Sequence, residues 1–91
     1  NPIRRDIAVI IDKEISTGDL VKAVKNETIP LVMDFYPFDL YEGEGIEEGK
    51  KSVAFLILMQ DTYKTLADHD VNKIVESILA ILKNKFSAKL R

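Results

Sequence analysis

The sequence predicts an α+β sandwich of split-βαβ type: a four-stranded antiparallel sheet with two helices on one face, the elements running β-α-β-β-α-β. Two observations carry this. Segments near Arg4–Ile11, Leu31–Tyr41 and Ser52–Gln60 alternate apolar and polar residues, or run apolar throughout, with the β-branched and aromatic content of strands. Between and after them lie stretches whose apolar residues recur at helical spacing.

In the first strand Ile7, Val9 and Ile11 share one face, while Asp6, Ala8 and Ile10 share the other. Ser16-Thr17-Gly18-Asp19 is a helix start, since Ser or Thr can cap the free N–H groups and Asp19 suits the positive end of the helix dipole. Leu20, Val21 and Val24 give that short helix its buried stripe, and the residues from Asn26 to Pro30 end it. The second strand, Leu31–Tyr41, changes parity: Leu31, Met33 and Phe35 fall on one face, Phe38 and Leu40 on the other. Burying both sets requires a slip of one residue near Tyr36-Pro37. A β-bulge supplies it and tolerates the missing proline N–H; a loop break at Pro37 is the alternative. With a bulge, Phe35 and Phe38 are both expected in the core, leaving Asp39 and Tyr41 exposed beside Ser52.

The turn Glu42–Gly49 contains glycines that tolerate a reversing backbone. In the third strand Val53, Phe55, Ile57 and Met59 face the core, and Ser52, Ala54, Leu56 and Leu58 lie opposite. Thr62–Ala67 is a connector. From Asp68, the series Val71, Ile74, Val75, Ile78, Leu79, Leu82 traces one helical face, with Asp68 and Asp70 at the N-terminal end and Lys83 and Lys85 at the C-terminal end. Phe86–Leu90 reads as a short closing strand. This order of elements is the ferredoxin-like arrangement, with one sheet face left open.

Residues 1–91 make a single domain with no internal linker or low-complexity segment. No apolar run approaches the roughly 20 residues of a membrane helix, so no membrane partner is expected. Asn1-Pro2 reads as a cut within a longer chain, and the lack of cysteine fits a reducing compartment such as the cytoplasm. Catalytic motifs are not apparent. His69 stands between Asp68 and Asp70 at a helix start with no nucleophile beside it, and a single histidine cannot build a multi-histidine metal site. The acidic turn lacks the ligand alternation of a calcium loop, and Gly43-Glu44-Gly45 is not followed by the Lys-Ser/Thr of a phosphate-binding loop. The domain itself is read as non-catalytic. A net charge of −2 also argues against a generic nucleic-acid binder, whose affinity rests on basic residues.

Asp39, Tyr41 and Ser52 are nevertheless a carboxylate, an aromatic ring and a hydroxyl on adjacent strands of an open sheet, the side-chain types that read unstacked RNA bases. The stretch Phe38-Asp39-Leu40-Tyr41-Glu42-Gly43-Glu44-Gly45-Ile46, followed by Gly49-Lys50-Lys51-Ser52-Val53-Ala54-Phe55, closely resembles one family. This is the C-terminal ferredoxin-fold anticodon-binding domain of bacterial phenylalanyl-tRNA synthetase beta subunits. Arg4-Arg5-Asp6-Ile7-Ala8-Val9, Thr65-Leu66, Asp70-Val71-Asn72 and Leu90-Arg91 extend the resemblance over essentially the whole chain.

The resemblance implies the same fold and a role in docking the anticodon loop of tRNA-Phe. It further implies that Asp39, Tyr41, Ser52 and Ala8 contact anticodon bases, Ala8 by being small enough to let a base approach. Lys50 and Lys51 are candidate phosphate contacts. For the parent enzyme it implies an assembly of two alpha and two beta subunits, using ATP and Mg2+ at a catalytic centre outside this segment. Ala67 and Ser87 depart from the family's usual Thr or Ser and Gly, and Lys64 stands where Arg is frequent. Leu56 and Leu58 are apolar where polar residues often face outward. With Ile10 they give an apolar surface that suits the rival reading, a ferredoxin-like protein-interaction or small-ligand regulatory domain, because fold alone does not fix function.

Overall fold

The computed structural model describes all 91 residues. Its elements are β1 (Ile3–Asp12), α1 (Thr17–Asn26), β2 (Val32–Tyr41), β3 (Lys50–Met59), α2 (Asp68–Phe86) and β4 (Lys89–Leu90). They form one antiparallel sheet in the order β2-β3-β1-β4, a ferredoxin-like α+β fold.

The period-2 pattern of the strands decides which side the helices cover. Ile7, Val9 and Ile11 of β1 and Val53, Phe55, Ile57 and Met59 of β3 point to that side. There they join Leu20 and Val24 of α1 and Val71, Ile74, Ile78 and Leu82 of α2 in one core cluster. The Phe35 and Phe55 rings stack at its centre, centroids 4.6 Å apart. Burying each such side chain stabilises the fold by about 1.5–3 kcal/mol, which is why both helices settle on this side.

Local chemistry places the helix ends. Ser16 caps α1, its Oγ accepting from the Gly18 N–H at 3.1 Å. At the start of α2, Ala67 offers no oxygen to cap the helix, yet Asp70 Oδ2 accepts the Ala67 N–H at 3.1 Å. That is the reciprocal half of a capping box with its other half missing. Ser87 ends α2 in the left-handed region, φ 57° and ψ 30°, and its N–H reaches the Lys83 carbonyl at 2.9 Å. The closing strand is consequently shorter than the pattern predicts: Phe86 is still helical, and only Lys89 and Leu90 pair with β1.

β2 differs from expectation in a way that matters for the site. It slips against β3 twice, leaving out Met33 between Val32 and Asp34, and Phe38 between Pro37 and Asp39. The slip near Pro37 is thus a bulge within a continuous strand. Phe35 is buried, but Phe38 is 49% exposed and Leu40 is 50% exposed, so the expected burial of Phe38 does not hold. The physical reason is that Phe38 is itself the extra residue. The bulge removes it from the alternation instead of shifting it into the core. At the other end of the β2–β3 turn Gly49 has φ +86°, and its carbonyl accepts the Lys13 N–H at 2.9 Å, tying the turn to the end of β1.

Candidate functional site

The face of the sheet away from the helices is ordered by its register. Across β2, β3 and β1 one row reads Asp39, Ala54, Ala8 and the next reads Tyr41, Ser52, Ile10. Asp39, Tyr41, Ser52 and Ala8, drawn from three strands, therefore occupy two adjacent rows. The Asp39 row is low at its centre because Ala54 and Ala8 carry only methyl groups, leaving a shallow floor bounded by the Asp39 carboxylate.

Asp39 is exposed and accepts the Leu40 N–H through Oδ1 at 3.0 Å, so its second oxygen makes no hydrogen bond within the chain. Tyr41 is 39% exposed, and its hydroxyl donates to the Glu44 carbonyl at 2.7 Å. This bond fixes the ring against the turn and uses the hydroxyl proton, leaving the ring face as the group Tyr41 presents. Ser52 is not open to solvent as the alternation suggests: it is only 3% exposed.

The cover over Ser52 is a residue that pattern reading did not assign to the site. Arg91, just beyond β4, sends its N–H to the Ala8 carbonyl at 2.8 Å. Its Nη1 donates to Ser52 Oγ at 3.1 Å, and its guanidinium carbon lies 5.5 Å from the Tyr41 ring centroid. A cation over an aromatic face is held by the ring quadrupole. Because Ser52 Oγ accepts from Arg91, its own proton remains available to donate. One signal for Arg91 exists in the sequence: a closing strand beside β1 that places Lys89 on the open face also places Arg91 there. Nothing local to Ser52 reveals the contact, since the partner is 39 positions away.

The two lysines stand apart from this group. Lys50 is half-buried and hydrogen-bonds through Nζ to Asp12 Oδ1, a bond that raises its pKa above the ordinary lysine value. Lys51 is 8% exposed and lies in register with Ile11 on the core side, the opposite side from Ser52. Of the two leucines, Leu56 is 6% exposed although it belongs to the open face. It sits between Tyr36 and Asp6 in the third row and is covered by the chain itself.

Asp39 can accept from amino or ring N–H groups as it stands, and with the Arg91 side chain drawn aside Tyr41 can stack on a base and Ser52 can exchange hydrogen bonds with one. His69 is exposed in the first turn of α2.

Comparison with known proteins gives a concordant picture. The model of a family described as the ferredoxin-fold anticodon binding domain matches residues 1–91. The phenylalanine–tRNA ligase beta subunit of Nitrosospira multiformis is 41% identical over 90 residues, covering 99% of this chain and 11% of that protein. The same subunit from Coxiella burnetii is 44% identical over 90 residues, 98% of this chain and 11% of its own length. In Shewanella oneidensis the figures are 41% over 88 residues, with 97% and 11% covered. The chain thus spans about 11% of the length of these relatives.

Proposed function

The chain belongs to the ferredoxin-fold anticodon binding domain family, and we propose that it serves a phenylalanine–tRNA ligase beta subunit by docking the anticodon loop of tRNA-Phe. The observation that carries this reading is the convergence of Asp39, Ala8, Tyr41 and Ser52 on two neighbouring rows of the uncovered sheet face. Single-stranded loop bases are recognised by stacking on aromatic side chains and by hydrogen bonds to their edges, and this face offers both within one patch.

On this reading a base stacks on the Tyr41 ring in place of the Arg91 guanidinium that overlies it, while the Glu44 carbonyl holds the ring. A neighbouring base lies over the Ala54–Ala8 floor with its amino or ring N–H edge against Asp39. The Ser52 hydroxyl and the Arg91 guanidinium complete the polar wall. The domain makes and breaks no covalent bond; it selects by fit. ATP, magnesium, the alpha subunit and the two-alpha, two-beta assembly belong to the proposed parent enzyme. No cluster of His, Cys, Asp and Glu side chains able to hold a metal ion occurs in this chain, and no step here passes through either cofactor. A cytoplasmic setting is part of the same proposal, and no helix is long and apolar enough to cross a membrane.

The test is aminoacylation kinetics in the full synthetase with Asp39→Ala and Tyr41→Ala, each against wild-type and anticodon-substituted tRNA-Phe. Loss of a stacked base is worth about 1–3 kcal/mol, so Tyr41→Ala lowers charging efficiency on wild-type tRNA by roughly 5- to 150-fold. Anticodon-substituted tRNA loses less, because its contact is already broken. Amino-acid activation without tRNA continues at the wild-type rate. Strictly additive losses would remove that residue from anticodon reading, and unchanged charging in both variants would refute the assignment.

A further inference from the structure

The bulge in β2 leaves a second aromatic ring on the open face. Arg4 of β1 faces away from the helices, in line with Asp6 and Ala8, and its guanidinium carbon lies 5.7 Å from the Phe38 ring centroid. Phe38 is therefore turned toward that face, where it is 49% exposed. The arrangement repeats the one at Tyr41, where Arg91 lies 5.5 Å over the ring. Two arginine–aromatic pairs thus flank Asp39, one on either side along β2. Phe38 and Tyr41 are three positions apart, roughly 10 Å along a strand.

Nothing in the core requires this placement. A large ring left half in water forgoes the burial that drives folding, and the core closes around Phe35 and Phe55 without it. Leu56 beneath this part of the face is already covered, and Tyr36 beside it is 42% exposed. Arg4 is steadied from below by Asp6, with Nε–Oδ1 at 3.0 Å and Nη2–Oδ2 at 3.4 Å, yet its side chain stays 57% exposed and can swing.

We infer that Phe38 and Arg4 form a second nucleotide station, taking another base of the same single-stranded RNA loop and its phosphate. This rests on the reading of the open face as an RNA-binding surface. In the free domain Arg4 occupies the place over the ring that a base would take. On docking the base replaces it, and the guanidinium, still beside Asp6, turns to the phosphate. The exchange suits both partners: every base has a π-face to stack, and the flat, weakly hydrated guanidinium forms forked hydrogen bonds with phosphate oxygens.

The experiment uses the longer protein that carries this chain, with tRNA-Phe, varied in its anticodon loop, as probe. Each loop nucleotide in turn is replaced by an abasic residue, and binding is titrated at several salt concentrations. Phe38→Ala is expected to weaken binding of the intact tRNA about 5- to 150-fold, Phe38→Trp to bind at least as well as wild type, and Phe38→Leu to behave like Phe38→Ala. One abasic position should cost nothing further in Phe38→Ala, and it should differ from the position silenced by Tyr41→Ala. Arg4→Gln should lower the log–log salt slope by about 0.7, the share of one phosphate on a single strand.

If Tyr41→Ala weakens binding while Phe38→Ala does not, the second station is wrong and the RNA-binding reading stands. Full binding by Phe38→Leu likewise overturns stacking at this ring. Absence of tRNA binding by the wild-type protein, or indifference to both substitutions, overturns the station and the reading together. Melting curves for each variant identify any loss caused by unfolding.

Discussion

Ser87 gives the sharpest test of how this chain terminates its long helix. It sits at φ 57° and ψ 30°, where an L-residue's Cβ crowds the following carbonyl at about 1–2 kcal/mol. Ser87→Gly removes that crowding and keeps the backbone bonds from Ser87 N–H to the Lys83 carbonyl and from Ala88 N–H to the Leu82 carbonyl. Against the gain stands the larger conformational entropy of glycine in the unfolded chain, about 0.5–1 kcal/mol. The net is a stabilisation of about 0.5–1 kcal/mol, and 1 kcal/mol moves the melting midpoint of a domain this size by about 4–8 °C. The same chemical change made inside α2 supplies the control. Ser77 is exposed, and its hydroxyl donates to the Lys73 carbonyl one turn back; there Ser77→Gly costs about 0.5 kcal/mol from helix propensity. Thermal and urea denaturation of the two variants should give shifts of opposite sign. A fall in stability for both would show that the Ser87 backbone carries no strain that glycine relieves.

At the other end of α2, Ala67→Ser supplies the missing oxygen and completes the capping box that Asp70 has half built; denaturation should show a gain of about 1 kcal/mol, smaller when Asp70 is also replaced by Ala. Lys50 gives a pH prediction. The Asp12 hydrogen bond raises its folded pKa above the unfolded value, so its contribution is complete below the ordinary lysine range and is lost as pH rises through the higher folded value. NMR titration should show the Lys50 midpoint displaced upward, and Asp12→Asn should return it toward the ordinary value.

The sequence discloses the parts of this structure in which one residue's neighbours along the chain decide its fate. The alternation of Ile7, Val9 and Ile11 with Asp6, Ala8 and Ile10 separates the two faces of β1 correctly. The stripe Val71, Ile74, Ile78, Leu82 fixes the buried side of α2. Asp39 and Tyr41 fall on the open face beside Ala54 and Ser52 as the pattern predicts. Elsewhere contacts between distant positions decide. Alternation reveals that β2 must slip but not which residue is left over, and making Phe38 the extra one turns an expected core ring into a surface ring. A second slip at Met33 leaves no sign, because Val32 and Met33 are both apolar. Ser52 is sheltered by an arginine at the far end of the chain. Lys51 is buried where composition suggests a solvated turn.

The division between the two faces of the sheet bears on how such a domain could recognise RNA while carrying a net charge of −2. Several of its cations are engaged with acids: Arg4 with Asp6, Lys50 with Asp12, Lys25 with Asp34 and Lys85 with Glu27. Long-range attraction to phosphate is therefore weak, and on the proposed reading the discrimination comes mostly from short-range stacking and base-edge contacts on the open face. Such contacts act only when the loop is already near. On the proposed reading, the longer ligase meets this need by holding the tRNA elsewhere, which raises the effective concentration of the loop at this domain. Because the core cluster lies on the helix side of the sheet, the exposed side chains of Asp39, Tyr41 and Phe38 contribute little to folding, and on the proposed reading they are free to be chosen for what they bind. On the same proposed reading, such a module adds selectivity to an affinity that another part of the assembly provides. Its contribution should then appear as a larger loss for the wrong anticodon in the full ligase than its isolated affinity would suggest.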